Sequence, residues 1–93
     1  MYHHVVTFEL LREQDVQPTA QMLRNMAGRV PTLRHIEVGV DEGRTPRSVH
    51  LALITRFDNE AGYRAYAADP VHKGVLAHIG TVVKTAAVVD WSD

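Results

Sequence analysis

Six histidines stand among 93 residues, with no cysteine to supply a thiolate. His72 carries the most specific signal, because it follows Asp69-Pro70-Val71. An acid at the N-cap followed by proline at the first helical position starts a helix. His72 then falls in the first turn, where the positive end of the helix dipole disfavours an imidazolium. A neutral imidazole is what a general base needs at pH 7. Tyr66 lies six residues earlier, before the Asp-Pro break, and a bend there could bring its phenol near the ring. Tyr63 and Tyr66 are three apart and share a helix face. The same residues also read as a capping motif with amphipathic packing side chains, and that alternative stays open.

His4 and His50 come next. His4 alternates with Val5 on a strand whose His4, Val6 and Phe8 face is assigned to the helices. His50 sits near the start of the third strand with Ala52 and Ile54, and the small Ala52 leaves space beside it. Both are expected to point between sheet and helices and to supply polar groups to an apolar cavity. Each alone also reads as a core or edge histidine bonded to a backbone carbonyl. His3 and His35 fall on the opposite strand face, and His78 follows His72 by six, which is not a chelating helical spacing. No H-x-x-x-H or H-E-x-x-H pattern, Gly-rich phosphate loop or G-x-S-x-G occurs. The expectation is therefore no cofactor and no metal, with a His4/His50 metal site the one arrangement left open.

The elements that must position these residues follow from periodicity. His4 to Phe8 alternates as a first strand. Val16, Ala20, Leu23, Ala27 and Val30 recur at helical steps after an entrance at Asp15 and Pro18, and Pro31 ends that helix. Ile36, Val38 and Val40 mark a second strand, a polar turn covers Asp41 to Arg47, and a third strand runs from Val49 to Phe57. Asp58 caps a short helix through Ala68. A further helix, Pro70 to Ile79, is closed by Gly80, and Thr81 to Trp91 is the last strand. The order β-α-β-β-α-α-β predicts an α+β ferredoxin-like sandwich, a four-stranded antiparallel sheet with helices on one face, as a single domain over residues 1–93.

That sheet reads as apolar on both faces. Val49, Leu51 and Leu53 share one face of the third strand, with Ala52 and Ile54 on the other. In the last strand Val82, Ala86 and Val88 oppose Val83, Ala87 and Val89. A solvated face should be polar, so the expectation is a homodimer stacked sheet on sheet into a barrel. Ten Lys+Arg against eleven Asp+Glu give a net charge of −1, which leaves no basic surface for nucleic acid. No apolar run approaches membrane-span length and the first residues lack a signal-peptide pattern, so the expected location is the cytoplasm.

Several segments together resemble the stress-responsive α/β-barrel (Dabb) family. They are His4-Val5-Val6-Thr7-Phe8, Ile36-Glu37-Val38-Gly39, His50 to Asp58, Tyr66-Ala67-Ala68-Asp69-Pro70-Val71-His72 and Val88-Val89-Asp90-Trp91. The resemblance covers essentially the whole chain, and its Asp-Pro-x-His element is the most specific part. It implies a ferredoxin-like unit that dimerises through its sheets. Four positions, His4, His50, Tyr66 and His72, are similar to the pocket of the family's plant polyketide cyclase branch, which works without a cofactor. By that likeness His72 is the catalytic base, Tyr66 its partner, and His4 and His50 bind substrate. The ligand implied is a small hydrophobic or aromatic, polyketide-like or carbonyl compound, handled by cyclase- or lyase-type acid/base catalysis. A non-catalytic stress-responsive binding or structural protein, and a cofactor-independent monooxygenase, are the alternatives.

Overall fold

Along the first strand, β1 (Tyr2–Leu10), His4, Val6, Phe8 and Leu10 are buried and the residues between them half-buried. That period of two is a strand with one covered face. In the computed structural model, which describes residues 1–93, a single 3-10 turn at Glu13–Asp15 leads into α1 (Val16–Arg24). Then come β2 (His35–Val40), β3 (Leu51–Phe57), α2 (Glu60–Ala68), α3 (Pro70–Val82) and β4 (Val83–Ser92). The strands form one antiparallel sheet in the order β2-β3-β1-β4. The register sets Val6 opposite Leu53 on one side and Val88 on the other. The helices cover one face, as a ferredoxin-like sandwich requires.

Between them lies the core, where Phe57 and Tyr66 are the largest fully buried side chains, packed with Leu23, Met26 and Leu51. Burying each large aliphatic chain contributes roughly 1.5–3 kcal/mol. Asn59 caps α2 by accepting from the Gly62 N–H at 2.9 Å, and Asp69 caps α3 by accepting from the Val71 N–H at 2.8 Å.

Several boundaries differ from the sequence expectation. The first helix ends at Arg24, and the chain then reaches Val30 through tight turns with i to i+3 hydrogen bonds. Gly28 takes φ +76°, a left-handed conformation that glycine adopts freely, so Met26 is buried and Ala27 exposed. Asn59 replaces Asp58 as the cap of α2, because Asp58 is held by the Arg34 guanidinium at 3.1 Å. The third strand starts at Leu51 instead of Val49. Gly80 does not close α3. Its backbone is ordinary helix with open space around it, and the helix continues until the buried Val82. A β-bulge between Glu9 and Leu10 then sets Val83 opposite Leu10, so Val83 packs on the covered core instead of sharing the face of Ala87 and Val89.

The other face of the sheet has no helix over it. Across the four strands its rows read His35, Arg56, His3, Trp91, then Glu37, Ile54, Val5, Val89, then Gly39, Ala52, Thr7, Ala87. Val89 is 61% exposed and Trp91 44%. The two chain ends meet at the edge of this sheet, where the Asp93 N–H donates to the Met1 carbonyl at 3.1 Å.

Candidate functional site

The break between α2 and α3 is one residue wide. Asp69, in extended conformation, is at once the C-cap of α2 and the N-cap of α3. This sharp turn folds the first turn of α3 back onto the last turn of α2. It sets the Tyr66 and His72 rings 4.2 Å apart, centroid to centroid. The His72 Nδ1–H donates to the Ala67 carbonyl at 3.2 Å. A carbonyl can only accept, so that proton is spent on the backbone and Nε2 keeps its lone pair. Burial holds the His72 pKa below the ordinary histidine value, and the nearby His4 acts in the same direction, against the Ala67 bond and Asp69. His72 is therefore neutral at pH 7.

Tyr66 is fully buried, and its hydroxyl has no hydrogen-bond partner. Leaving a buried hydroxyl unpaired costs about 1–3 kcal/mol. Burial pushes the phenol well above its usual range, with Tyr63 adding to the effect, so it stays a neutral donor. Both residues line a cavity of about 220 Å³ whose other walls are apolar, including Phe8, Leu53, Val75 and Ile79. The cavity reaches solvent between α3 and the β4 edge, where Leu76 and Val88 are half exposed. A larger groove of about 620 Å³ runs outside, between α1 and α3. Arg29 is its only charged residue and it offers no acid or base, so of these two the smaller cavity is the chemically equipped one.

His4 stands beside this cavity, behind the tyrosines. Its ring centroid is 4.8 Å from that of Tyr63 and 6.4 Å from that of Tyr66. Its Nδ1–H donates to Asp90 Oδ1 at 2.5 Å, across the β1–β4 pair that sets these two residues opposite each other. Asp90 and the ring of Tyr63 were not singled out as site residues from sequence. The signal for Asp90 is the strand register, which pairs residues 86 positions apart and cannot be counted along the chain.

His50 is not brought to this cavity, and the expectation that it points between sheet and helices alongside His4 is corrected. The face of Ala52 and Ile54, to which alternation assigns it, is the open one, and His50 lines a separate pocket of about 280 Å³ there with Thr7, Gly39 and Ala52. Its backbone N–H donates to the Phe8 carbonyl, and its ring takes the Leu10 N–H on Nδ1 at 2.9 Å. Leu10 lies six residues from His4 along β1, roughly 20 Å away at the rise of a strand. His78 is spent elsewhere, with Nε2 3.0 Å from Thr19 Oγ1 between α3 and α1. His3 stacks on Trp91 on the open face, with ring centroids 4.7 Å apart.

Fold and site thus define a ferredoxin-like sandwich with an apolar cavity and a Tyr–His pair at its helix break. The chain belongs to the stress responsive A/B barrel domain (Dabb) family, which it matches over residues 2–93. Its fold is shared with a dimeric ferredoxin-like protein of unknown function from Thermobifida fusca (23% identity, TM-score 0.87, covering 99% of this chain and 90% of that one). It is also that of a Dabb family protein from Mesorhizobium loti (18% identity, TM-score 0.83, 99% and 95%). A hydroxynitrile lyase from Passiflora edulis is similar as well (13% identity, TM-score 0.82, 97% and 90%). At these identities the likeness is one of fold. No curated protein matches the sequence. No helix is long and apolar enough to cross a membrane.

Proposed function

We propose that this chain is a cofactor-free enzyme of the cyclase or lyase type, abstracting a proton α to a carbonyl in a small, largely apolar compound. One observation carries the reading: the buried, unpartnered Tyr66 hydroxyl beside a neutral His72 whose Nε2 is unspent, both on an apolar cavity. In this mechanism a carbonyl oxygen of the substrate takes the Tyr66 O–H, filling its missing bond. His72 Nε2 removes the acidic proton, and Tyr66 stabilises the enolate oxygen as its charge develops. His4, fixed by Asp90, backs the aromatic wall of Tyr63 and Tyr66 without lining the cavity itself. The cavity lies below the usual 300–1,000 Å³ of ligand sites, which favours a compact aromatic or ketone substrate. No charged side chain lines it, which disfavours an anionic one.

The test is proton exchange. The protein is incubated in D2O with a panel of aryl ketones and 1,3-diketones, and deuterium uptake at the α-carbon is followed by NMR. Exchange above the buffer rate is expected, lost about 10²–10⁴-fold in His72→Ala and reduced in Tyr66→Phe. Binding without exchange, or equal exchange in both variants, would instead support a ligand-binding protein.

The open sheet face supports the second part of the proposal, a homodimer stacked sheet on sheet, as the Thermobifida fusca relative is dimeric. The apolar centre of Val5, Ile54 and Val89 is the surface a second copy would cover. Sedimentation equilibrium should return twice the 10.4 kDa chain mass, and Val89→Asp should return the single mass. A monomeric wild type would sink this part alone.

A further inference from the structure

We propose that His50 is a proton-operated latch at the β1–β4 junction, a role independent of Tyr66 and His72. Its ring is almost completely buried and is claimed from three sides. Nδ1 accepts the Leu10 N–H at 2.9 Å, and a carboxylate oxygen of Glu9 lies the same 2.9 Å from that nitrogen. Nε2 is 2.7 Å from Glu13 Oε2. The Glu13 and Leu10 bonds coexist in one neutral tautomer, with Nε2–H donating to Glu13 and Nδ1 accepting from Leu10. Glu9 does not fit that state, because an unprotonated nitrogen and a carboxylate oxygen at 2.9 Å repel. Protonation reverses the preference. Nδ1–H is then offered to Glu9, and the Leu10 N–H loses its acceptor. One nitrogen thus has two mutually exclusive partners, separated by a single proton.

The lost amide bond sits where it has structural leverage. Leu10 is buried, it flanks the β-bulge, and it pairs with Val83, the first residue of β4. The next amide, Leu11 N–H, donates to the Val82 carbonyl at the end of α3 at 2.9 Å. Releasing Leu10 therefore loosens the corner where α3 passes into β4. The charged groups around the latch are Glu9 from β1, Glu13 from the 3-10 turn, and Asp41 and Arg44 of the β2–β3 loop, Asp41 lining the same pocket as His50. Arg44 lies 4.0 Å from Glu13 and 3.3 Å from Asp41. Arg44 restrains Glu13, which leaves Glu9 as the partner that decides between the two states.

The experiment follows the His50 ring nitrogens and the hydrogen exchange of the Leu10 amide by NMR from pH 8 to pH 5 on the full chain. Leu10 protection is expected to fall at least tenfold with the same midpoint as His50 protonation. Glu9→Ala should move that fall to lower pH, while Glu37→Ala, an acid of the same sheet that does not touch His50, should leave it in place. Leu10 protection that stays flat while the ring titrates would overturn the latch. So would equal shifts in the two variants, which would make it a general charge effect.

Discussion

His50 is buried and His72 half-buried, and they differ in what their nitrogens have left to give. At His72 one nitrogen is fixed by a backbone carbonyl and the other faces an apolar cavity with no acid on it. At His50 both nitrogens are engaged within one small cluster, Nε2 by Glu13 and Nδ1 by the Leu10 amide or, once protonated, by Glu9. The first arrangement leaves a ring nitrogen with no protein partner beside a buried unpaired hydroxyl, and the hydroxyl is costly for folding. The second closes nearly every bond and ties three chain segments together. Burial of a histidine therefore says little by itself, and the count of unspent polar atoms around it separates a reactive setting from a structural one.

That contrast can be broken most severely at Tyr66. Replacing it with alanine removes the largest buried side chain, and urea unfolding should show a loss of about 3–5 kcal/mol. At the other end, His50→Ala leaves the Leu10 N–H without an acceptor, and the same measurement should show a loss of about 1–3 kcal/mol. Tyr66→Phe should go the opposite way, with a gain of about 1 kcal/mol, because it deletes a hydroxyl that has no partner. A loss there would mean the hydroxyl is satisfied and the two regions do not differ as described.

The smallest effect is the pH dependence at His72. Its folded pKa lies below the unfolded value near 6.5. Above that value both states are neutral and the group contributes nothing to pH dependence. As pH falls through the window below it, the unfolded state binds the proton first, so stability drops until the folded value is reached. His72→Gln should flatten this part of the stability profile relative to wild type.

Much of this was legible in the residues. The Asp69-Pro70 pair located the helix break, because a capping acid and an N1 proline act locally and need no tertiary context. The alternation of His4, Val6 and Phe8 assigned the covered face correctly. Position 50 was misplaced because alternation sets it with Ala52 and Ile54, whose face is the open one, and the partners of its ring come from β1 and the turn after it. The Glu9–Leu10 bulge was equally hidden, and with it the face of Val83. The pairing of Asp90 with His4 depends on register, which tertiary packing settles. Gly80 misled because a glycine marks a helix end only where a left-handed residue is required, and α3 requires none there.

The meeting of Met1 and Asp93 bears on how the chain finds its fold. The β1–β4 ladder joins the two extremities of the sequence, so it closes the longest loop in the molecule and is the slowest contact to form by diffusion. A circular permutant, linked from 93 to 1 and opened in the exposed stretch 42–47, would turn that ladder into a local hairpin. It would keep the existing strand pairs and fold faster, at the cost of making β2–β3 the pair of longest sequence separation.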